Sequence, residues 1–138
     1  MELKIETATI KQLDELFKIE EDCFDQEAFT KQQISYLLSD FNTIALTAKS
    51  NVDITGFVIA QIEVEENTEY GHIVTINVAP RFRRKGVATK LLQEIESFLK
   101  QRSIAQIRLE VREDNNSALK LYHKLGYQTL GKLDRYYG

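Results

Sequence analysis

Residues 70–111 constrain the fold of this chain more than any other segment. They contain an apolar strand pattern over 70–79, an amphipathic helical pattern over 87–100 and a second strand pattern over 105–111. A strand, a helix and a strand in this order form a βαβ unit, in which the strands are parallel and the crossover is right-handed. Ligands of such sheets bind outside the carboxyl ends of the strands. We therefore expect a binding site at the end of strand 70–79.

At that end the chain reads RFRRKGVA, over residues 81–88. The first turn of a helix has unpaired N–H groups and a partial positive charge, and Gly86 lets an anion approach the backbone closely. Arg83, Arg84 and Lys85 add mobile cations. These features predict a phosphate or pyrophosphate site; the alternative is a solvated basic turn that precedes a helix. The spacing matches neither GxxxxGK[ST] nor GxGxxG, which argues against a P-loop or a dinucleotide-binding fold.

The remaining patterns complete a mixed α/β fold. A short strand precedes two helices between residues 9 and 41, which begin at capping boxes headed by Thr9 and Thr30. A hairpin surrounds the turn residues SNVD, and a short helix that ends at Gly126 precedes a last strand over 127–133. The predicted order is β α α β β β α β α β, in one domain that spans residues 1–138.

Composition narrows the classes of function. The net charge of −3 indicates no general affinity for nucleic acid or for an anionic membrane. Cys23 is the single cysteine, so no intrachain disulfide forms and a reducing compartment is expected. The sequence has no apolar run long enough for a membrane span and no signal-peptide pattern. We expect a cytoplasmic protein, and no metal site, since no Cys/His cluster has the spacing of metal ligands.

Four stretches of the chain resemble one family. RRKGVA, residues 83–88, resembles the [RQ]-x-x-G-x-[GA] signature of the GNAT family of acetyl-CoA-dependent N-acetyltransferases. LEVREDNNSALKLYHKLGY, residues 109–127, resembles the family's later motif, and GHIVTINVAP resembles the strand before the signature. EEDCFDQEAFTKQQI is similar to the loop between the first two helices of RimI-like and archaeal protein N-terminal acetyltransferases.

The resemblance implies a V-shaped mixed sheet in which strands 70–79 and 105–111 splay apart. The pantetheine arm of acetyl-CoA would lie in the gap, and the pyrophosphate would rest on the N–H groups of residues 84–89. The positions that it implies for cofactor binding are Ile76, Asn77, Val78, Arg83, Arg84, Lys85, Gly86, Val87, Ala88, Thr89, Asn115 and Tyr122.

The resemblance also implies roles in catalysis for Glu110, His72 and Tyr122. Glu110, in RLEVR, would be a general base acting through water; otherwise it is a surface carboxylate paired with a neighbouring arginine. His72 would be a second base or hold the water; otherwise it is a core histidine. Tyr122 would donate a proton to the departing CoA thiolate, or it packs in the core. Strand alternation groups His72 with Val74, Ile76 and Val78 on one face.

Protein N-terminal α-amines are the substrates that the resemblance favours, with Phe24, Asp25, Gln26 and Tyr136 as acceptor-binding positions. The alternatives are a small amine or lysine side chain as acceptor, or a CoA-binding partner subunit without catalysis. The sequence also predicts that the family's final strand is missing. Its absence would leave an edge near residues 127–133 where two copies could pair as a homodimer.

Overall fold

The computed structural model describes residues 2–109, 116–130 and 132–136. Glu110 and Asn115 lie outside the described residues, as do the side chains of Asp25 and Tyr136. Short 3₁₀ turns occur at Ile10–Gln12, Asp25–Glu27 and Pro80–Phe82. The helices and strands are β1 (Lys4–Thr7), α1 (Leu13–Phe24), α2 (Lys31–Ser39), β2 (Thr43–Ser50), β3 (Asp53–Glu65), β4 (Thr68–Val78), α3 (Val87–Gln101), β5 (Gln106–Leu109), α4 (Asn116–Lys124), β6 (Gln128–Leu130) and β7 (Lys132–Tyr136).

The strands form one mixed sheet of seven, in the order β1-β2-β3-β4-β5-β7-β6. β4 and β5 are parallel, with Gly71 opposite Ile107 and Ile73 opposite Leu109, and every other recorded pairing is antiparallel. The predicted βαβ unit is therefore confirmed as β4-α3-β5. It places the first turn of α3 beyond the carboxyl end of β4.

Helices cover both faces of the sheet. Alternate residues of β2 and β3, such as Leu46 and Val58, pack against α3 in one core cluster. Their neighbours along the strands, such as Phe57 and Ile59, pack against α1 and α2 in a second cluster. This alternation is the period-2 pattern expected of strands buried on both faces.

Capping contacts open the first two helical segments as the sequence predicts. Gln33 N–H donates to Thr30 Oγ1 at 3.1 Å, and Thr30 N–H donates to Gln33 Oε1 at 2.9 Å. Thr9 N–H donates to Gln12 Oε1 at 3.0 Å. Each of these bonds satisfies a backbone donor that the helix itself leaves unpaired.

The prediction for the end of the chain is wrong. In place of one strand over 127–133 and a missing final strand, the structure has two strands, β6 and β7. β7 pairs with β5 and thus occupies an interior position of the sheet. β6 and β7 pair antiparallel, with Leu130 opposite Lys132, where the sequence reads as one strand. β6 forms the edge, and pairing of two copies along it stays a prediction.

Within the part of the chain that the structure describes, every helix is too short or too polar to cross a membrane.

Candidate active site

The turn between β4 and α3 has the backbone conformation of an anion site. The angle φ is 63° at Arg84 and 79° at Gly86, but is not positive at Lys85 between them. Alternation of this kind turns successive N–H groups toward one side. The first α-helical hydrogen bond runs from Lys90 N–H to Gly86 O at 3.1 Å, so the amides of residues 87–89 have no acceptor within the helix. We call residues 84–89 the phosphate cradle.

The space above Gly86 is open. A Cβ built on this residue would meet no atom within 4 Å, and Arg84 and Lys85 are exposed beside it. The glycine is therefore required by its left-handed φ, while the absence of close neighbours leaves room for a ligand. These observations fit the pyrophosphate of CoA.

Two arginines of the basic segment have protein partners. Arg83 Nε donates to Val78 O at 3.3 Å, and its NH2 group lies 3.5 Å from Cys23 Sγ. Arg81 pairs with Asp53 at 3.4 Å. Arg83 is thus held against the end of β4, close to the cradle, whereas Arg81 is turned toward the β2–β3 hairpin.

β4 extends past the described part of β5. Their recorded pairing ends at Ile73 and Leu109, whereas β3 pairs with β4 as far as Val78. The residues with an expected contact to pantetheine, Ile76 to Val78, lie in this extension. The side chain of Asn77 is 2% exposed and points to the α1 face, so only its backbone is placed to contact a ligand between the strands.

A β-bulge at Val74 changes which face each side chain of β4 occupies. Thr75 pairs with Ile59 and Ile73 with Ala60, so Val74 is the extra residue. The prediction that His72 and Val74 share a face with Ile76 and Val78 is wrong. Val74 packs in the α1/α2 cluster, whereas Ile76 and Val78 pack against the α3 cluster. Bulges bend a strand and redirect its side chains in this way.

His72 is held by a carboxylate on the neighbouring strand. Its Nδ1 lies 2.7 Å from Oε2 of Glu63, and its side chain is 30% exposed. An ionised carboxylate only accepts hydrogen bonds, so this contact favours a proton on Nδ1, which in the neutral tautomer leaves the lone pair on Nε2. His72 is therefore not a fully buried core residue, and its contact with Glu63 favours the tautomer that a general base needs.

Glu63 belongs to a polar cluster that the sequence did not predict. Tyr70 donates its hydroxyl to Glu63 Oε1 at 2.8 Å, and this bond is the main cause that raises the pKa of Tyr70. Arg108, which is opposite His72 in the parallel register, stacks on the Tyr70 ring at 3.9 Å and forms an ion pair with Glu65. The signal in the sequence was the succession of polar residues at every second position of β3, Gln61, Glu63 and Glu65.

A groove of about 420 Å³ lies beside this polar cluster. Gln61, which pairs with His72 across β3 and β4, is on its wall. Val74 is placed there by the bulge. No lysine, arginine, aspartate or glutamate is among its lining residues, which are Phe29, Gln32, Gln33, Tyr36, Leu37, Gln61 and Val74.

Tyr122, on α4, is 6% exposed and packs in the α3 core cluster. Burial raises the pKa of its hydroxyl to about 12. Its ring contacts that of Tyr127 edge to face, with the centroids 6.0 Å apart. Tyr122 is therefore a packing residue that also keeps its proton at any working pH, as a proton donor must.

The remaining predicted site residues lie on the surface or outside the described residues. Phe24 is 38% exposed at the end of α1, and Gln26 is exposed in the turn that follows. Glu110 and Asn115 are outside the described residues, so their predicted roles are not tested. Among residues 2–109, 116–130 and 132–136, no group of three His, Cys, Asp or Glu side chains could hold a metal ion.

Comparison with known proteins identifies the family. Residues 10–127 match the model of the acetyltransferase (GNAT) family. The chain is 30% identical over 112 residues to N-alpha-acetyltransferase 30 of Schizosaccharomyces pombe, covering 80% of this chain and 75% of that protein. It is 27% identical to an N-alpha-acetyltransferase of Sulfurisphaera tokodaii, over 99% of this chain and 86% of that protein.

Other curated relatives are longer, and the chain spans 49% to 65% of their length. The fold matches that of the PaiA N-acetyltransferase of Thermoplasma acidophilum in complex with coenzyme A, with a TM-score of 0.81 at 17% identity, over 99% of this chain and all of that one. With the family model spanning the cradle, the polar cluster and Tyr122, the chain belongs to the GNAT family and is an acetyl-CoA-dependent N-acetyltransferase.

Proposed function

We propose that this protein acetylates the α-amino group at the N-terminus of a protein, a ribosomal protein or a nascent chain, in the cytoplasm. The observation that carries the proposal is the contact of 2.7 Å between Glu63 and His72, a histidine that pairs with Gln61 on the wall of a groove without charged lining residues. The relatives in Schizosaccharomyces and Sulfurisphaera, both N-alpha-acetyltransferases, support the choice of an α-amine.

In the proposed reaction the amine attacks the thioester carbonyl directly. His72, or Glu110 through water, takes a proton from the amine as the C–N bond forms. The C–S bond then breaks, and Tyr122 gives its proton to the departing thiolate. The cradle holds the phosphates on the N–H groups of residues 84–89, while the backbone of Ile76 to Val78 positions the pantetheine arm. The acceptor enters along the groove, past the loop of Phe24 to Gln26.

The basicity of the two kinds of acceptor supports an α-amine over a lysine. An α-amine has a pKa of about 7.7 and a lysine one of about 10.4, so at pH 7 roughly one α-amine in six is neutral, against roughly one lysine in 2,500. The described site has one histidine and no buried carboxylate facing the groove that could serve as a stronger base. Such a site is suited to the amine that loses its proton more readily.

Two peptides of one sequence test the proposal. The first has a free N-terminus and blocked lysines, and the second has a blocked N-terminus and free lysines. We expect acetylation of the first only, measured by mass spectrometry after incubation with acetyl-CoA. Acetylation of the second alone would refute the N-terminal assignment, and acetylation of neither would favour a small amine or a partner subunit without catalysis.

A further inference from the structure

Glu20 is a buried carboxylate that none of the sites above uses. It lies on α1 between Leu16 and Asp22, faces the sheet and is 1% exposed. No ion pair within 4.0 Å involves it among the residues that the structure describes. Burial of a carboxylate without a cation is unfavourable unless hydrogen bonds compensate for the lost water. An apolar residue of similar size would pack in the core without this cost. Packing alone therefore does not explain why a carboxylate occupies this position.

Its two oxygens bind different parts of the protein. Oε1 accepts from Thr75 Oγ1 at 2.7 Å and from Asn77 Nδ2 at 3.0 Å, both on β4. Oε2 accepts from the backbone N–H of Phe29 at 3.1 Å, in the loop between α1 and α2. One carboxylate therefore joins the strand expected to bind acetyl-CoA to the loop that borders the groove.

The β-bulge at Val74 makes this arrangement possible, because it turns Thr75 and Asn77 toward α1. Since Thr75 donates its only proton to Glu20, its oxygen accepts from Asn77 Nδ2 at 3.0 Å, which fixes the orientation of the amide. Asn77 Oδ1 is buried and has no hydrogen-bond partner among the described residues. The amide is thus held through its nitrogen alone, by Glu20 and Thr75.

We propose that Glu20 is a positioning residue for acetyl transfer, which fixes the acceptor loop against β4 and so aligns the acceptor groove with the cofactor strand. This inference rests on the proposed function, because it assigns the groove lined by Phe29 and Val74 to the acceptor. The two sides of the link differ in strength. β4 is also held by its pairing with β3, as far as Val78, whereas Phe29 N–H has Glu20 as its recorded partner.

Glu20→Gln tests the link at nearly constant volume. A glutamine has one accepting oxygen and one donating nitrogen, so it cannot accept from both Phe29 N–H and the donors of β4. We expect the KM for the acceptor peptide to rise at least tenfold, while the dissociation constant of acetyl-CoA, measured by calorimetry, stays within twofold. Amide exchange at Phe29, followed by NMR, should become at least tenfold faster.

Two further variants separate positioning from stability. Thr75→Val removes one hydrogen-bond donor of β4 and leaves the contact between Glu20 and Phe29, so it should raise the acceptor KM about threefold. If Glu20→Gln does not fold, Thr75→Val tests the proposal in its place. Thr30→Ala removes the cap of α2 beside Phe29 but leaves Glu20 intact, and should keep the acceptor KM within twofold.

An unchanged acceptor KM in both Glu20→Gln and Thr75→Val, or an equal rise in Thr30→Ala, would overturn the proposal. A loss of acetyl-CoA affinity as large as the rise in acceptor KM would also overturn it, because a purely structural residue would weaken both. If the wild type acetylates no N-terminal peptide, the proposed function fails, whereas exchange at Phe29 still decides whether Glu20 anchors the loop.

Discussion

Nδ1 of His72 on β4 lies 2.7 Å from Oε2 of Glu63 on β3, and this contact orients the imidazole. The two residues are not direct partners in the strand register, since Glu63 is opposite Tyr70 and His72 is opposite Gln61. The carboxylate reaches diagonally and holds both Tyr70 and His72. In the proposed reaction Glu63 acts only through His72, so its effect on the rate should depend on His72.

A double-mutant cycle measures that dependence. Glu63→Gln keeps the size of the side chain but offers His72 a weaker and less selective partner, so we expect kcat/KM to fall about tenfold, as for other positioning contacts of about 1.4 kcal/mol. In a His72→Ala background the same change should alter kcat/KM by less than twofold. Tyr70→Phe, which removes the hydrogen bond from Tyr70 to Glu63, is the control and should stay near wild type. Additive effects of the two substitutions would show that Glu63 does not act through His72.

Tyr122→Phe should slow turnover far more than it weakens binding. The substitution keeps the ring and its edge-to-face contact with Tyr127, and removes only the hydroxyl. Loss of a general acid lowers a rate by about 10²–10⁴-fold. We expect kcat to fall about 100-fold while the calorimetric affinity for acetyl-CoA stays within threefold. Tyr127→Phe, on the other side of the ring pair, is the matched control, and a wild-type kcat in Tyr122→Phe would exclude the proton-donor role.

The phosphate cradle is tested by comparing two glycines. Gly86 in the cradle and Gly126 after α4 both have a positive φ, 79° and 96°, so a side chain strains the backbone at either position. Gly86→Val also fills the space above the cradle, which should weaken CoA binding at least 100-fold in a titration. Gly126→Val should lower stability to a similar extent but leave CoA affinity within threefold. Equal affinities of wild type and Gly86→Val would contradict the cradle.

The elements that form this site are largely readable from the sequence. The βαβ unit, the basic turn and both capping boxes depend on residues that are close together in the chain, so local rules find them. The bulge at Val74 is different, because it exists only in the register between β3 and β4. Simple alternation therefore places Val74 on the wrong face relative to Ile76, and the groove was not predicted.

The polar contacts between residues far apart in the chain could not be predicted from the sequence either. Glu63 and His72 are nine residues apart on antiparallel strands, and Glu20 meets Thr75 across 55 residues. In the sequence neither glutamate is marked as paired or buried, since 21 acidic residues are present and the alternation of Gln61, Glu63 and Glu65 indicates a polar face but no partner. The antiparallel pair of β6 and β7 is not predicted for another reason: its strands have three and five residues, too few for a clear alternation.

Alkaline unfolding gives an independent measure of how deeply Tyr122 is buried. Burial raises its pKa from 10.0 to about 12, so the folded state holds the proton that the unfolded state begins to lose near pH 10. The stability due to the buried neutral phenol is complete below pH 10 and is lost as the pH rises toward 12. A shift of this size corresponds to about 3 kcal/mol.

Urea unfolding at pH 9 and at pH 11.5 should show a large loss of unfolding free energy in the wild type. Tyr122→Phe, which has no proton to lose, should show a loss smaller by about 2 kcal/mol. Tyr70, whose pKa is also raised, contributes in the same direction, so the comparison is repeated in a Tyr70→Phe background. If Tyr122→Phe loses as much stability as the wild type between the two pH values, folding does not raise the pKa of Tyr122, and its hydroxyl is in contact with water.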